Sequence, residues 1–196
     1  MRLVDLFPAQ GEDRAVFCWA DGRRTLTCSV VADGCRSLTA FTLPRLVPID
    51  RIRFRLDAEG LTEEARHDRL DGPNLLIHAL VLPGSLAPGQ AVATGGATIT
   101  LGWAGRARLQ LGGRTAERVV ARLDAHQGRV RRVQWLAAGV GEVAVGQAGQ
   151  PFERWLEAWS GPGGPLLADV PRAWRQALLP ELPTGTSDAS AVDGIA

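Results

Sequence analysis

Along most of this chain apolar and polar residues alternate with a period of two, the pattern of half-buried strands. RAVFCW (14–19), the pair Asp21-Gly22 and TLTCSVV (25–31) predict a hairpin. Asp33-Gly34 turns the chain into SLTAFTL (37–43), and Pro44 and Pro48 bracket a short connection. In IRFRLDA (52–58), Ile52, Phe54 and Leu56 share one face, while Arg51, Arg53 and Arg55 take the other. Glu59-Gly60 turns into LTEEAR, residues 68–73 read as a loop, and NLLIHALVL (74–82) as a more fully buried strand. In the second half, ATITLGW (97–103) leads through Gly105 into a second run, RARLQL (106–111). Gly112-Gly113 turns into AERVVARLDA (116–125). Helix propensity competes there, but Val119, Ala121 and Leu123 alternate with Arg118, Val120 and Arg122, which predicts a strand. RVRRVQWLA (129–137), EVAVGQ after Gly139 and Gly141, and FERWLEAW (152–159) complete about eleven or twelve strands in an antiparallel meander. Beyond GPGGP (161–165), DVPRAWRQALL (169–179) has an N-cap aspartate, a first-turn proline and a terminating Pro180, and predicts a helix. Residues 183–196 lack periodicity and predict a disordered tail.

The two halves echo one another. RFRLDAEGLTEEAR (53–66) aligns with RVQWLAAGVGEVAV (132–145) when Gly60 is set on Gly139, an offset of 79 (139 − 60). Gly11 and Gly89, each behind a proline, give 78 (89 − 11). A period that long is no solenoid unit and suits two copies of a small β-module. The expected architecture is all-β: an antiparallel β-sandwich or curved half-barrel of two related modules, 1–80 and 81–160. A Gly/Pro linker with a C-terminal helix (161–182) and the tail (183–196) follow.

Composition narrows the possible partners. The formal net charge is +1, so no global field draws nucleic acid or an anionic membrane. All 22 basic residues are arginine, lysine and tyrosine are absent, and Asn74 is the sole asparagine. A gene of high GC content has that composition, so the arginine excess has no functional weight by itself. The start, MRLVDLFPAQ, lacks the apolar run and cleavage site of a signal peptide, and no apolar stretch is long enough for a membrane span. Taken as complete, the chain is expected in the cytoplasm; with a leader removed, in the cell envelope. Cys18, Cys28 and Cys35 make a poor disulfide framework and read as small packed thiols, although Cys18 and Cys28 could meet across the first hairpin.

Enzyme signatures are missing. His67, His78 and His126 form no metal-binding pair, and no CxxC, nucleophile elbow or phosphate loop occurs. Glu63 and Glu64 are strand neighbours on opposite faces, not an acid/base dyad. No catalytic residue, metal or cofactor is therefore expected. The arginines are the one polar constellation: Arg51, Arg53 and Arg55; Arg106 and Arg108; and Arg129, Arg131 and Arg132. If these faces converge they form a surface for nucleic acid. Alternatively Glu63 or Glu64, returning opposite Arg53 or Arg55, and Glu142 near Arg132 neutralise them as solvated strand faces. Trp155 and Trp159, four apart on a strand and so on one side, could rim a ligand groove with Trp103, or cap an open barrel end.

Three stretches carry a resemblance: Phe7-Pro8 with Gly11 and a strand ending at Trp19 before Asp21-Gly22; Gly112-Gly113 before AERVVARL; and WLAAGVGEVAVG (135–146). In that order, over most of residues 5–159, they resemble a family of uncharacterised bacterial lipoprotein-like β-domains. Ala15, Val16 and Phe17 stand where that family has an early tryptophan, Thr115-Ala116 replaces its Thr-Phe pair, and its usual lipoprotein leader is lacking. The resemblance implies a β-sandwich or half-barrel and transfers no catalytic residue. The function expected is non-catalytic binding or scaffolding. The partner would be a protein, a second copy or a hydrophobic ligand, held at a sheet face, an edge or the cleft between modules. A nucleic-acid-binding accessory protein is the alternative, and the asymmetry between the copies points to their junction.

Overall fold

A computed structural model describes residues 1–68, 75–111 and 114–161. Apart from one 3-10 turn at Leu3–Leu6, the described residues form strands and their connections. The first six strands are β1 (Gly11–Trp19), β2 (Arg24–Ala32), β3 (Cys35–Thr42), β4 (Val47–Leu56), β5 (Gly60–Asp68) and β6 (Leu75–Pro83). The other six are β7 (Ala91–Thr94), β8 (Ala97–Leu111), β9 (Arg114–Gln127), β10 (Val130–Ala137), β11 (Gly141–Gln147) and β12 (Phe152–Ser160). The expected helix at 169–179 and the tail lie outside the described residues.

All twelve strands belong to one antiparallel sheet, ordered β6-β5-β4-β3-β2-β1-β12-β11-β10-β9-β8-β7. It is a pair of six-stranded meanders joined where β1 lies beside β12, with Arg14 opposite Ser160 and Cys18 opposite Trp155. The sheet curls until its two edges nearly meet: the Gly95 amide at the end of β7 donates to the Leu80 carbonyl of β6 at 3.0 Å. A nearly closed barrel leaves little free strand edge, which answers the hazard of a wide open sheet.

The echoed stretches occupy corresponding places, β4–β5 in the first meander and β10–β11 in the second. Each hairpin carries a bulge on its returning strand. In one, Arg53 pairs with Ala65 and Phe54 with Glu63, leaving Glu64 over. In the other, Trp135 pairs with Ala144 and Leu136 with Glu142, leaving Val143 over. Glu64 and Val143 are 79 apart (143 − 64), the offset of the sequence echo. A bulge bends a strand and sharpens its twist, so each meander bends at the corresponding point.

Two expectations about strand breaks need correction. Gly105 does not divide two runs, because β8 continues unbroken through it. A side chain there would overlap the Trp103 indole, so this glycine exists to let the ring lie over the strand. Cys18 and Cys28 do not face one another either. Cys18 is opposite Arg24, Cys28 is opposite Arg14, and no disulfide joins the three thiols.

Three apolar clusters fill the sheet. One gathers Phe17, Leu109, Val120, Trp135, Val143 and Leu156 from β1 and β8–β12. A second, leucine-rich, gathers Leu61, Leu82, Leu86, Leu101, Leu123 and Leu136 around Leu3 and Leu6 of the N-terminal segment. That segment is tied down by its backbone: the Leu3 amide donates to Gly84 at 2.8 Å, and the terminal amino group donates to the Leu86 carbonyl at 2.8 Å. Smaller than either, the third cluster pairs Val16, Leu26 and Ala158, in antiphase to Ala15 and Phe17.

Gly60 and Gly84 bring two chain reversals into backbone contact beside that segment. Gly60 has φ of +142°, and a Cβ there would overlap the Leu82 carbonyl oxygen. One on Gly84 would overlap the Ala58 carbonyl oxygen, and the Gly84 amide already donates to Glu59 at 2.8 Å. Since the obstacles are backbone, they have no rotamer by which to yield. Gly60→Ala is expected to destabilise the fold by about 2–3 kcal/mol through overpacking and strain. A urea midpoint unchanged from wild type would refute this.

Candidate functional site

The alternation of β1 to β4 sends Asp13, Ala15 and Phe17, then Thr27, then Arg36, Leu38 and Ala40, then Asp50, Ile52 and Phe54 to one concave face. These side chains wall a partly open cavity of about 300 Å³. Leu61 and Leu82 of the same meander and Phe7 of the N-terminal segment extend the wall. The second meander supplies the rest, Gln134 from β10, Val140 from the β10–β11 turn, Glu142 from β11 and Arg154 from β12. The site is therefore a junction of the two modules. Its walls are mainly apolar, with a few buried polar groups, the usual make-up of a small-molecule site, and its volume is at the small end for one.

At one end is a buried ion pair. Asp13 is 4% exposed and Arg36 8%. The Arg36 Nη2–H donates to Asp13 Oδ2 at 3.0 Å, and the Ser29 hydroxyl donates to Asp13 Oδ1. The guanidinium also lies over the Phe7 ring, 5.7 Å from its centroid. Burial pulls Arg36 below the ordinary arginine pKa, and the Asp13 carboxylate opposes that pull. One donor is left over: Arg36 Nη1 is buried and meets no acceptor among the described residues.

At the other end Arg154 lies 5.0 Å from the centroids of both Phe17 and Trp19. It donates to Glu142, which also accepts from Gln134 Nε2 at 2.8 Å. Asp50, on the first module's wall, lies 3.7 Å from Arg66, whose Nε donates to Glu63 at 2.8 Å. Each carboxylate lining the cavity thus faces a guanidinium.

The residues that sequence reasoning singled out lie elsewhere. Arg51, Arg53 and Arg55 occupy the exposed face of β4. Arg53 meets Glu64 at 3.2 Å, and Arg55 meets Asp57 at 2.9 Å and Glu64 at 3.9 Å, so the neutralising return strand is present. Arg106 pairs with Glu117 at 3.3 Å, and Arg108 stands opposite Glu117 in the ladder. Arg131 reaches the buried Asp124 at 3.5 Å. Arg132 pairs with Glu153, not Glu142, because Glu142 is taken by Arg154. Arg129 lies exposed in the β9–β10 turn. The β4 and β8 groups are on separate strands, with seven strands between them one way round the sheet and three (β5, β6 and β7) across its near-closure.

Trp103 packs against Trp135 with ring centroids 6.0 Å apart, and Trp155 and Trp159 pack on the same core cluster. None of the three lines the cavity. Nor do Trp155 and Trp159 share one face. A bulge at Glu157 shifts the register, so Trp159 pairs with Ala15 while Trp155 pairs with Cys18. Among the described residues no cluster of side chains suits a metal ion, and no helix is long and apolar enough to cross a membrane.

What sequence reading overlooked was the set Asp13, Arg36, Glu142 and Arg154. A signal existed for two of them. Asp13 is in phase with Ala15 and Phe17, and Arg36 is in phase with Leu38 and Ala40, so each is a charge written into the apolar half of an alternation. Comparison with family models, curated proteins and solved structures finds no match to this chain.

Proposed function

We propose that this protein is a non-catalytic binding protein that takes a small hydrophobic ligand into the cavity between its two modules. The observation that supports this reading is the cavity itself. It is partly open, mainly apolar, and walled by residues of both meanders. About 300 Å³ holds roughly ten non-hydrogen atoms at the ~30 Å³ that one water occupies. An apolar molecule of that size gains about 25 cal/mol for each Å² it withdraws from water.

A fluorescent naphthylamine dye that brightens in apolar surroundings is expected to bind with one-site stoichiometry. Ala40→Trp should fill the space and abolish binding while leaving the urea midpoint within ~1.5 kcal/mol of wild type. Dye binding that survives Ala40→Trp unchanged would place the apolar site elsewhere and remove this reading.

A further inference from the structure

Arg36 carries a requirement that the described residues do not meet. Its side chain is nine-tenths buried, its Nη2 is committed to Asp13, and its Nη1 is buried without an acceptor. A buried donor without a partner costs about 1–3 kcal/mol, more on a charged group. Arg36 is one of the residues lining the cavity, so its unmet N–H is a recognition element in search of an oxygen. Arg154 repeats the arrangement, with a buried Nε that finds no acceptor and two aromatic rings against its guanidinium. Asp13 and Phe17, which mark the two ends, are separated by four residues of β1, roughly 14 Å at about 3.4 Å per residue.

The charge balance then selects the kind of oxygen. Asp13 is matched by Arg36, Glu142 by Arg154 and Asp50 by Arg66. Arg66 is shared with the buried Glu63, so four carboxylates stand against three guanidiniums and the surroundings already carry a formal charge of −1. A ligand carboxylate or phosphate would bring an uncompensated charge next to Asp13 into surroundings of low dielectric, at a cost of several kcal/mol. A carbonyl or ether oxygen satisfies the waiting N–H without adding charge.

Resting on the binding role proposed above, we infer that the ligand is an uncharged amphipathic molecule. Its carbonyl or ether oxygen accepts from Arg36 Nη1, and an aliphatic body of about ten atoms runs along β1 toward Arg154.

Three probes of matched chain test this by dye displacement: decan-2-one, decanoate and decane. The ketone is expected to bind at least tenfold more tightly than decane, and decanoate more weakly than the ketone. Arg36→Lys keeps a cation beside Asp13 and removes the second guanidinium nitrogen. It should bring the ketone's affinity down to that of decane and leave decane unmoved. Equal affinities for ketone and decane in the wild type would overturn the inference while the apolar site stands. So would decanoate binding tightest, or an Arg36→Lys protein that loses both ligands equally. If Arg36→Lys does not fold, the wild-type ratio of ketone to decane decides alone. Failure of all three probes to displace the dye would sink the binding role itself.

Discussion

Replacing Leu3 and Leu6 together with alanine is expected to cost about 5 kcal/mol or more, enough to unfold a domain of ordinary stability. Both side chains are essentially inaccessible, at 0% and 1% exposure, and they stand among leucines from β5, β8, β9 and β10. Each truncation removes buried methylene surface and leaves a void that rigid strands cannot close, at about 2–5 kcal/mol apiece. The segment also holds backbone partners, with Leu3 on Gly84 and Met1 on Leu86 in both directions. Those hydrogen bonds survive the substitution, so the experiment isolates the packing. Urea denaturation followed by tryptophan fluorescence measures the loss; a double variant within 1 kcal/mol of wild type would show that the segment merely rests on the barrel.

Asp13→Ala is expected to cost about 3–5 kcal/mol, because it strands Arg36 as a buried, unpaired cation. Asp13 also accepts from Ser29, so a hydroxyl donor loses its partner in the same stroke. The discriminating control is the double variant Asp13→Ala with Arg36→Leu. Removing both charges leaves nothing uncompensated, and the pair replaced by apolar groups is often neutral or better. The expected result is a double variant more stable than Asp13→Ala alone. Additive losses would mean that each residue contributes through packing and that the pair is not an electrostatic unit.

The sequence announced the strands and the repeat because both rest on local chemistry. Period-two alternation marks a half-buried strand wherever it occurs, so β9 could be told from a helix by Val119, Ala121 and Leu123. Turn glycines 79 apart reflect a hairpin built twice. Bulges were invisible because they count against alternation: the extra Glu157 put Trp155 and Trp159 on opposite faces, where strict period two put them together. Gly105 misled for a related reason, since its role is to accommodate the ring of Trp103 and not to divide the strand. The candidate site was legible only in part. The cavity draws its walls from both meanders, and no single stretch of sequence contains it. Its polar residues were missed because arginines conspicuous on an outer face drew attention, whereas Arg36 is a single charge among apolar neighbours. Glu142 and Arg154 come from strands that only tertiary structure brings to Phe17.

The seam between β1 and β12 sets a schedule for biogenesis. Arg14 and Ser160, paired across it, are 146 residues apart (160 − 14). During synthesis the first meander leaves the ribosome with β1 as a naked margin, its ladder groups unclaimed until β12 has been made. Contacts of such sequence separation slow folding, and an unclaimed margin invites pairing with another nascent chain. Charged residues at Glu12 and Arg14, both exposed in the finished protein, lie along that margin and would discourage the wrong neighbour while the right one is still being translated.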